Sequence, residues 1–320
     1  MSTSDYDIVI VGGGIAGLTA GLTAARAGRR TRVLTGPALG GQLLNIERVD
    51  GYPGFPDGIP GYDLCPIVQE QGVAAGAQFS AAAVKRVAAD DGRWTVSSGE
   101  GEVQAGAVVI ATGTKANELG IPGEERLRGK GVSHCATCDG PLFRTKTVGV
   151  VGGGDSALQE ALTLAGFAPR VILFHRGAAL SGQAAYRDPV QAHEKIEVRT
   201  GTVVEEVRGD TVVTGVRTRT DQSASAKATT GKGTVADVEL DGLFVYIGLT
   251  PETAWLESML ELDPSGRIPT DEAMRTRRAG LFAAGTVRSG TAGRAASAAG
   301  DGATAAIAAD RYLRDGAWRV

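Results

Sequence analysis

The strongest constraint on this chain is a local pattern that occurs twice. Residues 7–11, an apolar run from Asp7 through Ile8, Val9 and Ile10 to Val11, lead directly into Gly12-Gly13-Gly14-Ile15-Ala16-Gly17. An alanine-rich stretch follows from Leu18 to Ala27 and stops at Gly28; Thr31 to Leu34 is again apolar and β-branched. This is strand, glycine turn, helix, strand. A continuous apolar strand implies burial on both faces of a parallel sheet. The three glycines have separate physical duties: a tight turn at Gly12, close backbone approach to a pyrophosphate at Gly14, and close helix–sheet packing at Gly17, with the helix N-terminus facing the anion. Further along, Thr147 to Val151 precedes Gly152-Gly153-Gly154-Asp155-Ser156-Ala157, a helical stretch from Leu158 to Ala165 that Gly166 would end, and the strand Val171 to Phe174. One such motif is a weak signal. Two in one chain imply two dinucleotide sites, the usual arrangement for electron transfer between a flavin and a nicotinamide.

Composition narrows the class. There are 47 glycines in 320 residues, clustered and without a three-residue period, so the chain is not collagenous. The length suits two domains. The balance of 33 basic and 36 acidic residues offers no surplus for nucleic acid. No apolar run reaches the length of a membrane span, and the N-terminus has no signal-peptide pattern. The expectation is a cytoplasmic protein.

Between the two motifs, Phe79–Val87, Trp94–Ser98 and Glu102–Gln104 read as an antiparallel meander, and 108–113 as a buried strand ending in Thr112-Gly113. Residues 197–207 and 212–220 read as a hairpin, and 221–233, rich in small polar residues, as a surface loop. Residues 243–248 and 281–285 read as strands, and 291–313 as a helix interrupted by Gly300 and Gly302. Of three cysteines, Cys135 and Cys138 form C-x-x-C. Zinc, a buried thiol pair and a redox dithiol are the alternatives. With three histidines and no second C-x-x-C, zinc is the poorest and no metal is expected. A flavin exchanges two electrons with a disulfide, so a redox dithiol fits best. Asp139 is placed to move its protons, or else to cap a helix. His134, adjacent to Cys135, is either a tuner of its pKa or a solvated loop residue. Cys65 reads as a core thiol on an amphipathic helix.

Seven segments, in this order, resemble the low-molecular-weight thioredoxin reductases: Gly40-Gly41-Gln42 within 35–42, residues 51–56 (GYPGFP), Ala111-Thr112-Gly113, residues 135–140 (CATCDG), residues 152–157, residues 244–248 (FVYIG) and residues 281–285 (LFAAG). The resemblance spans nearly the whole chain, and CATCDG is its most specific part. It implies an α/β fold of two Rossmann-like three-layer domains, the second inserted in the first. An FAD domain would comprise 1–114 and 247–320; a nucleotide domain at 115–246 would carry the dithiol and rotate so that the cysteines face flavin and substrate in turn.

By the same resemblance, Gly12, Gly14, Ala16, Gly17, Thr35, Gly40, Gly41, Gln42, Thr112, Gly113, Gly285, Thr286, Arg294 and Ala295 would hold FAD. Gly152, Gly154, Asp155, Ser156, Ala157, His175 and Arg176 would hold NADPH or NADH. Cys138 would face the flavin, Cys135 would attack the substrate disulfide, and Asp139 would serve as acid and base. The protein would be a homodimer acting on a thioredoxin-like protein or a small disulfide.

Several positions depart from the family. Its His-Arg-Arg-x-x-x-Arg reads His175-Arg176-Gly177 with Ser181 last. Two lost charge-assisted contacts at about 1.5–3 kcal/mol each are worth roughly two to four decades of preference for a 2′-phosphate. No acidic residue ends the strand for a ribose hydroxyl; Arg187 is the nearest further cation. The family's Gly-Asp reads Gly285-Thr286, its Glu-Asn-Tyr reads Asp50-Gly51-Tyr52, and its Arg-Gln-Ala reads Arg294-Ala295-Ala296. These departures set up two alternatives: a related enzyme fed by ferredoxin, by another reduced carrier or by dithiols with oxygen as acceptor, and a flavin-binding sensor without turnover. Retention of 152–157 argues against the first alternative, and the intact dithiol with Asp139 argues against the second.

Overall fold

In a computed structural model, residues 4–90, 92–220 and 233–318 are described; of the surface loop expected at 221–233, all but the last residue lies outside them. The chain divides into two compact units, Met1–Lys115 with Thr250–Val320, and Ala116–Leu249.

The first unit opens with β1 (Ser4–Val11), α1 (Ile15–Arg26) and β2 (Thr31–Leu34), then α2 (Gly61–Ala74), β3 (Gln78–Ser80), β4 (Val84–Asp90), β5 (Arg93–Ser98) and β6 (Gly101–Ile110). The chain leaves through β7 (Thr114–Ala116). The second unit runs β8 (Val132–Ser133), α3 (Ala136–Asp139), β9 (Thr147–Val151), α4 (Asp155–Phe167), β10 (Arg170–Phe174), α5 (Ala184–Ala192), β11 (Ile196–Arg199), β12 (Thr202–Arg208), β13 (Gly215–Thr220), β14 (Thr234–Glu239) and β15 (Gly242–Val245). The return through β16 (Leu249–Pro251) leads to β17 (Leu281–Ala283) and α6 (Ala295–Asp315).

The first unit's sheet has the order β3-β2-β1-β6-β5-β4, with β17 also on β6. Strands β3, β2, β1, β6 and β17 pair in parallel, whereas β4, β5 and β6 form the antiparallel meander. Side chains alternate across the sheet. Ile8 and Ile10 pack with Leu18, Ala20 and Ala305 on the helical face; Val9 and Val11 pack with Trp94, Val96 and Leu256 on the other. Both faces are covered, which is why β1 reads as unbroken apolar sequence.

The second unit's sheet, β11-β10-β9-β15-β8, is parallel throughout, beside the antiparallel β12-β13-β14. Val148 and Val150 pack against Ala157, Leu158, Ala161 and Leu164 of α4. Each unit is therefore a sheet covered on both faces, built around a strand–glycine–helix turn.

Several element boundaries differ from the sequence reading. Phe79 lies in the parallel strand β3, outside the meander, and 102–110 is one strand. Residues 197–199 belong to the parallel β11, so the hairpin starts at Thr202. Helix α4 runs through Gly166 to Phe167; Ala168 turns extended because Pro169 disfavours helix before it. Helix α6 starts at Ala295 and is unbroken at Gly300 and Gly302. At Gly302 a Cβ would strike the Ala16 carbonyl, so this glycine brings α6 onto α1.

Candidate functional site

The first glycine turn links β1 to α1. Gly12 has φ +123° and lies so close to the Ala111 carbonyl that no side chain fits. A Cβ on Gly14 would meet nothing within 4 Å. Gly14 is the N-cap of α1 and supplies no side-chain cap, so the first-turn amides are left for an anion. The Gly40–Gln42 loop lies against this turn. The Gly40 N–H donates to the Gly13 carbonyl at 2.8 Å, and a Cβ on Gly41 would sit 3.5 Å from Gly14 Cα. Gln42 Nε2 donates to the Thr114 carbonyl at 2.8 Å.

From the other edge, a Cβ on Gly285 would lie 2.9 Å from Ala16 Cβ, and one on Gly113 would lie 3.7 Å from Thr286 Oγ1. Gly12, Gly14, Ala16, Gly40, Gly41, Gly113, Gly285 and Thr286, scattered in sequence, thus form one continuous backbone cradle, a good fit for a flavin dinucleotide. The hydroxyl of Thr35 donates to backbone carbonyls, of Gly36 or Ser80, and that of Thr112 to Glu252. Arg294 is exposed just before α6, where its N–H donates to Ser297 Oγ and Ala295 begins the helix.

The sequence reading missed Asp301. Its carboxylate accepts Arg288 Nε at 2.7 Å, Arg288 Nη2 at 3.1 Å and the Gly285 N–H at 3.2 Å. A carboxylate therefore does reach the Gly285 turn, from α6, but it is spent on holding the turn. The signal was a lone acid between Gly300 and Gly302 in an alanine-rich helix.

In the second unit, Gly152 (φ +148°) begins the turn into α4. Gly154 caps α4 with no side chain, and a Cβ there would meet only Ser181 Oγ at 4.0 Å. Ser156 is exposed at the helix start and Ala157 is buried. Asp155 is drawn aside: its two oxygens accept the Gln183 N–H at 2.7 Å and Gln183 Nε2 at 2.6 Å. The His175 ring lies directly on Gly153, with Nε2 3.0 Å from the Ala179 carbonyl. Arg176 is exposed, with no hydrogen-bond or ion-pair partner among the described residues. Arg187, the sequence's alternative cation, pairs with Asp188 at 3.2 Å.

The dithiol stands at the head of α3, a single turn. Cys135 and Cys138 are joined as a disulfide with Cα atoms 5.3 Å apart. Cys135 is the N-cap, and its Sγ accepts the Cys138 N–H at 3.1 Å. Cys138 is exposed and Cys135 half-buried. Asp139 follows at once; its side chain caps no helix and has no hydrogen-bond or ion-pair partner among the described residues. His134 Nε2 is buried without a hydrogen-bond partner. Tyr246, beyond β15, was also missed: its hydroxyl oxygen accepts the Ala136 N–H at 3.0 Å. Cys65 sits on α2, fully buried, and burial pushes its thiol up to about 11.

A family model described as pyridine nucleotide-disulphide oxidoreductase matches residues 6–302. The chain is 39% identical over 310 residues to a thioredoxin reductase of Treponema pallidum, covering 97% of this chain and 98% of that one. It is 39% identical over 318 residues to a thioredoxin reductase of Mycolicibacterium smegmatis, covering 98% and 99%. Among solved structures it is similar to the thioredoxin reductase of Lactococcus lactis (FR conformation), with TM-score 0.91, 33% identity, and 97% and 99% of the two chains covered.

Proposed function

The chain belongs to the pyridine nucleotide-disulphide oxidoreductases, within the low-molecular-weight thioredoxin reductases, and is an FAD-dependent disulfide oxidoreductase; on that premise we propose that it carries electrons from a reduced nicotinamide dinucleotide to a thioredoxin-like protein through Cys135 and Cys138. The observation that carries the proposal is the Cys135–Cys138 disulfide with Asp139 unengaged beside it, in the same unit as the second glycine turn.

FAD would lie in the cradle from Gly12 to Thr286 described above, its pyrophosphate at the N-terminus of α1. When bound it supplies two-electron exchange between a hydride donor and a disulfide. The nicotinamide dinucleotide would take the Gly152–Ala157 turn, with Arg176 the free cation for its ribose end.

Uptake of two electrons breaks the Cys135–Cys138 bond. Cys135, whose sulfur already faces the Cys138 N–H, is the better stabilised thiolate. It attacks an external disulfide, forming a mixed disulfide and releasing one substrate thiolate. Cys138 then attacks Cys135 Sγ, restoring the internal disulfide and releasing the second thiolate. Two electrons and two protons reach the substrate, and Asp139 moves protons between solvent and the thiols. The proposal includes a cytoplasmic location and a homodimer, on the family resemblance. Among the described residues no helix is long and apolar enough to cross a membrane.

Cys135→Ser and Cys138→Ser test the relay. Each is expected to keep flavin reduction by the donor and to lose disulfide turnover. Retained turnover in either variant contradicts the assignment.

A further inference from the structure

Tyr246 reaches both functional turns of the second unit. Its N–H donates to the Val151 carbonyl at 2.8 Å, and its own carbonyl packs against Gly152, the first glycine of the dinucleotide turn. Its side chain packs against the core that contains Ala136 and Ala157. From there the hydroxyl oxygen accepts the Ala136 N–H at 3.0 Å. Burial, with the nearby carboxylates of Glu160 on α4 and Asp139 on α3, pushes the Tyr246 hydroxyl far above its ordinary value, so it stays a neutral acceptor.

Ala136 is the first residue of the α3 turn and is fully buried. Its N–H has no intrahelical acceptor and would be costly to bury unpaired. Tyr246 supplies the acceptor and so fixes the peptide that joins Cys135 to Ala136. The orientation of that peptide in turn sets Cys135 Sγ against the Cys138 N–H, 3.1 Å away. In the disulfide this contact is between an amide and a neutral sulfur. After reduction the same amide faces a thiolate, and a hydrogen bond to the charged form lowers its pKa. The alignment therefore matters more in the reduced protein than in the oxidised one.

We propose that Tyr246 is a positioning residue for the redox turn: by holding the Ala136 amide it keeps the Cys138 N–H on Cys135 Sγ and makes Cys135 the nucleophilic thiolate. The proposal rests on the reading of Cys135 as the attacking thiol.

The test uses full-length, FAD-loaded protein carrying Cys138→Ser, which leaves the residue-138 amide in place and Cys135 as the accessible thiol. The rate of Cys135 alkylation by iodoacetamide, followed by mass spectrometry, is measured against pH with Tyr246 present and with Tyr246→Phe. With Tyr246 the midpoint is expected below the ordinary cysteine value of about 8.5. Tyr246→Phe is expected to raise it by about half to one pH unit, slowing alkylation at neutral pH roughly three- to tenfold. His134, Asp139 and Glu160, the neighbouring titratable groups, are the same in both proteins. A lowered midpoint that Tyr246→Phe leaves in place overturns the role of Tyr246. An ordinary midpoint with Tyr246 present overturns the reading of Cys135 on which the proposal depends. Hydrogen exchange on the wild-type protein is a second measurement, independent of how the variant folds. The Ala136 amide is expected to be protected in both redox states, and exchange at the rate of a free loop amide overturns the proposal.

Discussion

Asp139 performs no structural task that would account for it. Its carboxylate caps nothing and pairs with nothing among the described residues, although it adjoins Cys138. Asp139→Asn removes the proton-carrying group without removing a contact of the fold. Disulfide turnover is expected to fall roughly 10²–10⁴-fold, with thermal stability unchanged; a loss of less than threefold by steady-state assay would contradict a proton-transfer role. Cys65 is the opposite case. It is fully buried on α2, its Sγ 3.8 Å from the Gly40 carbonyl, and burial raises its thiol to about 11. A raised pKa means that folding favours the neutral thiol. That contribution is complete below the unfolded value and is lost as pH climbs from the ordinary cysteine value towards about 11. Folding stability measured by denaturant titration should therefore decline over that window, and Cys65→Ala should flatten the decline. A slope unaffected by the substitution would assign the loss to other groups.

Among the elements, the loop from β10 to α5 is where the proposed function puts the preference for the nucleotide. The structure makes its two missing family arginines unequal. A side chain at Gly177 would crowd His175 Nε2 at 2.7 Å, and that ring in turn lies on Gly153. Ser181 is exposed, with its Oγ 3.1 Å from the Gly153 carbonyl, beside the open mouth of the turn. Ser181→Arg alone is expected to raise kcat/KM for NADPH by about tenfold or more, since one charge-assisted contact contributes about 1.5–3 kcal/mol. NADH use should be nearly unchanged. Adding Gly177→Arg should gain less than this, because His175 must move. Equal gains for both nucleotides would show that the new cation meets a group they share.

Much of this was legible in the sequence. Apolar runs before glycine turns marked β1 and β9, because strands covered on both faces leave no room for polar residues. Elements whose limits depend on tertiary contact were harder to read. Helix α4 outruns Gly166 because the residue that stops it is Pro169. Helix α6 accepts Gly302 because α1 passes too close for a side chain. The same limit applies to the site. Cys135, Cys138 and the glycines follow a local pattern, whereas Tyr246 acts on Ala136, 110 residues away, and Asp301 acts from α6 on the Gly285 turn.

In the molecule as a whole, the proposed function puts two two-electron centres in series, a bound FAD in the first unit and the Cys135–Cys138 pair in the second. The discontinuous course of the chain, with Met1–Lys115 and Thr250–Val320 forming one unit and Ala116–Leu249 the other, gives each centre its own sheet and its own glycine turn. Anaerobic titration of the FAD-loaded protein with NADPH, followed by flavin absorbance, counts these centres. Two centres in series predict about two hydride equivalents per flavin before bleaching is complete, and about one in the Cys135→Ser/Cys138→Ser double variant. Bleaching of the wild type by about one equivalent, with the cysteines still disulfide-bonded by mass, would contradict this arrangement.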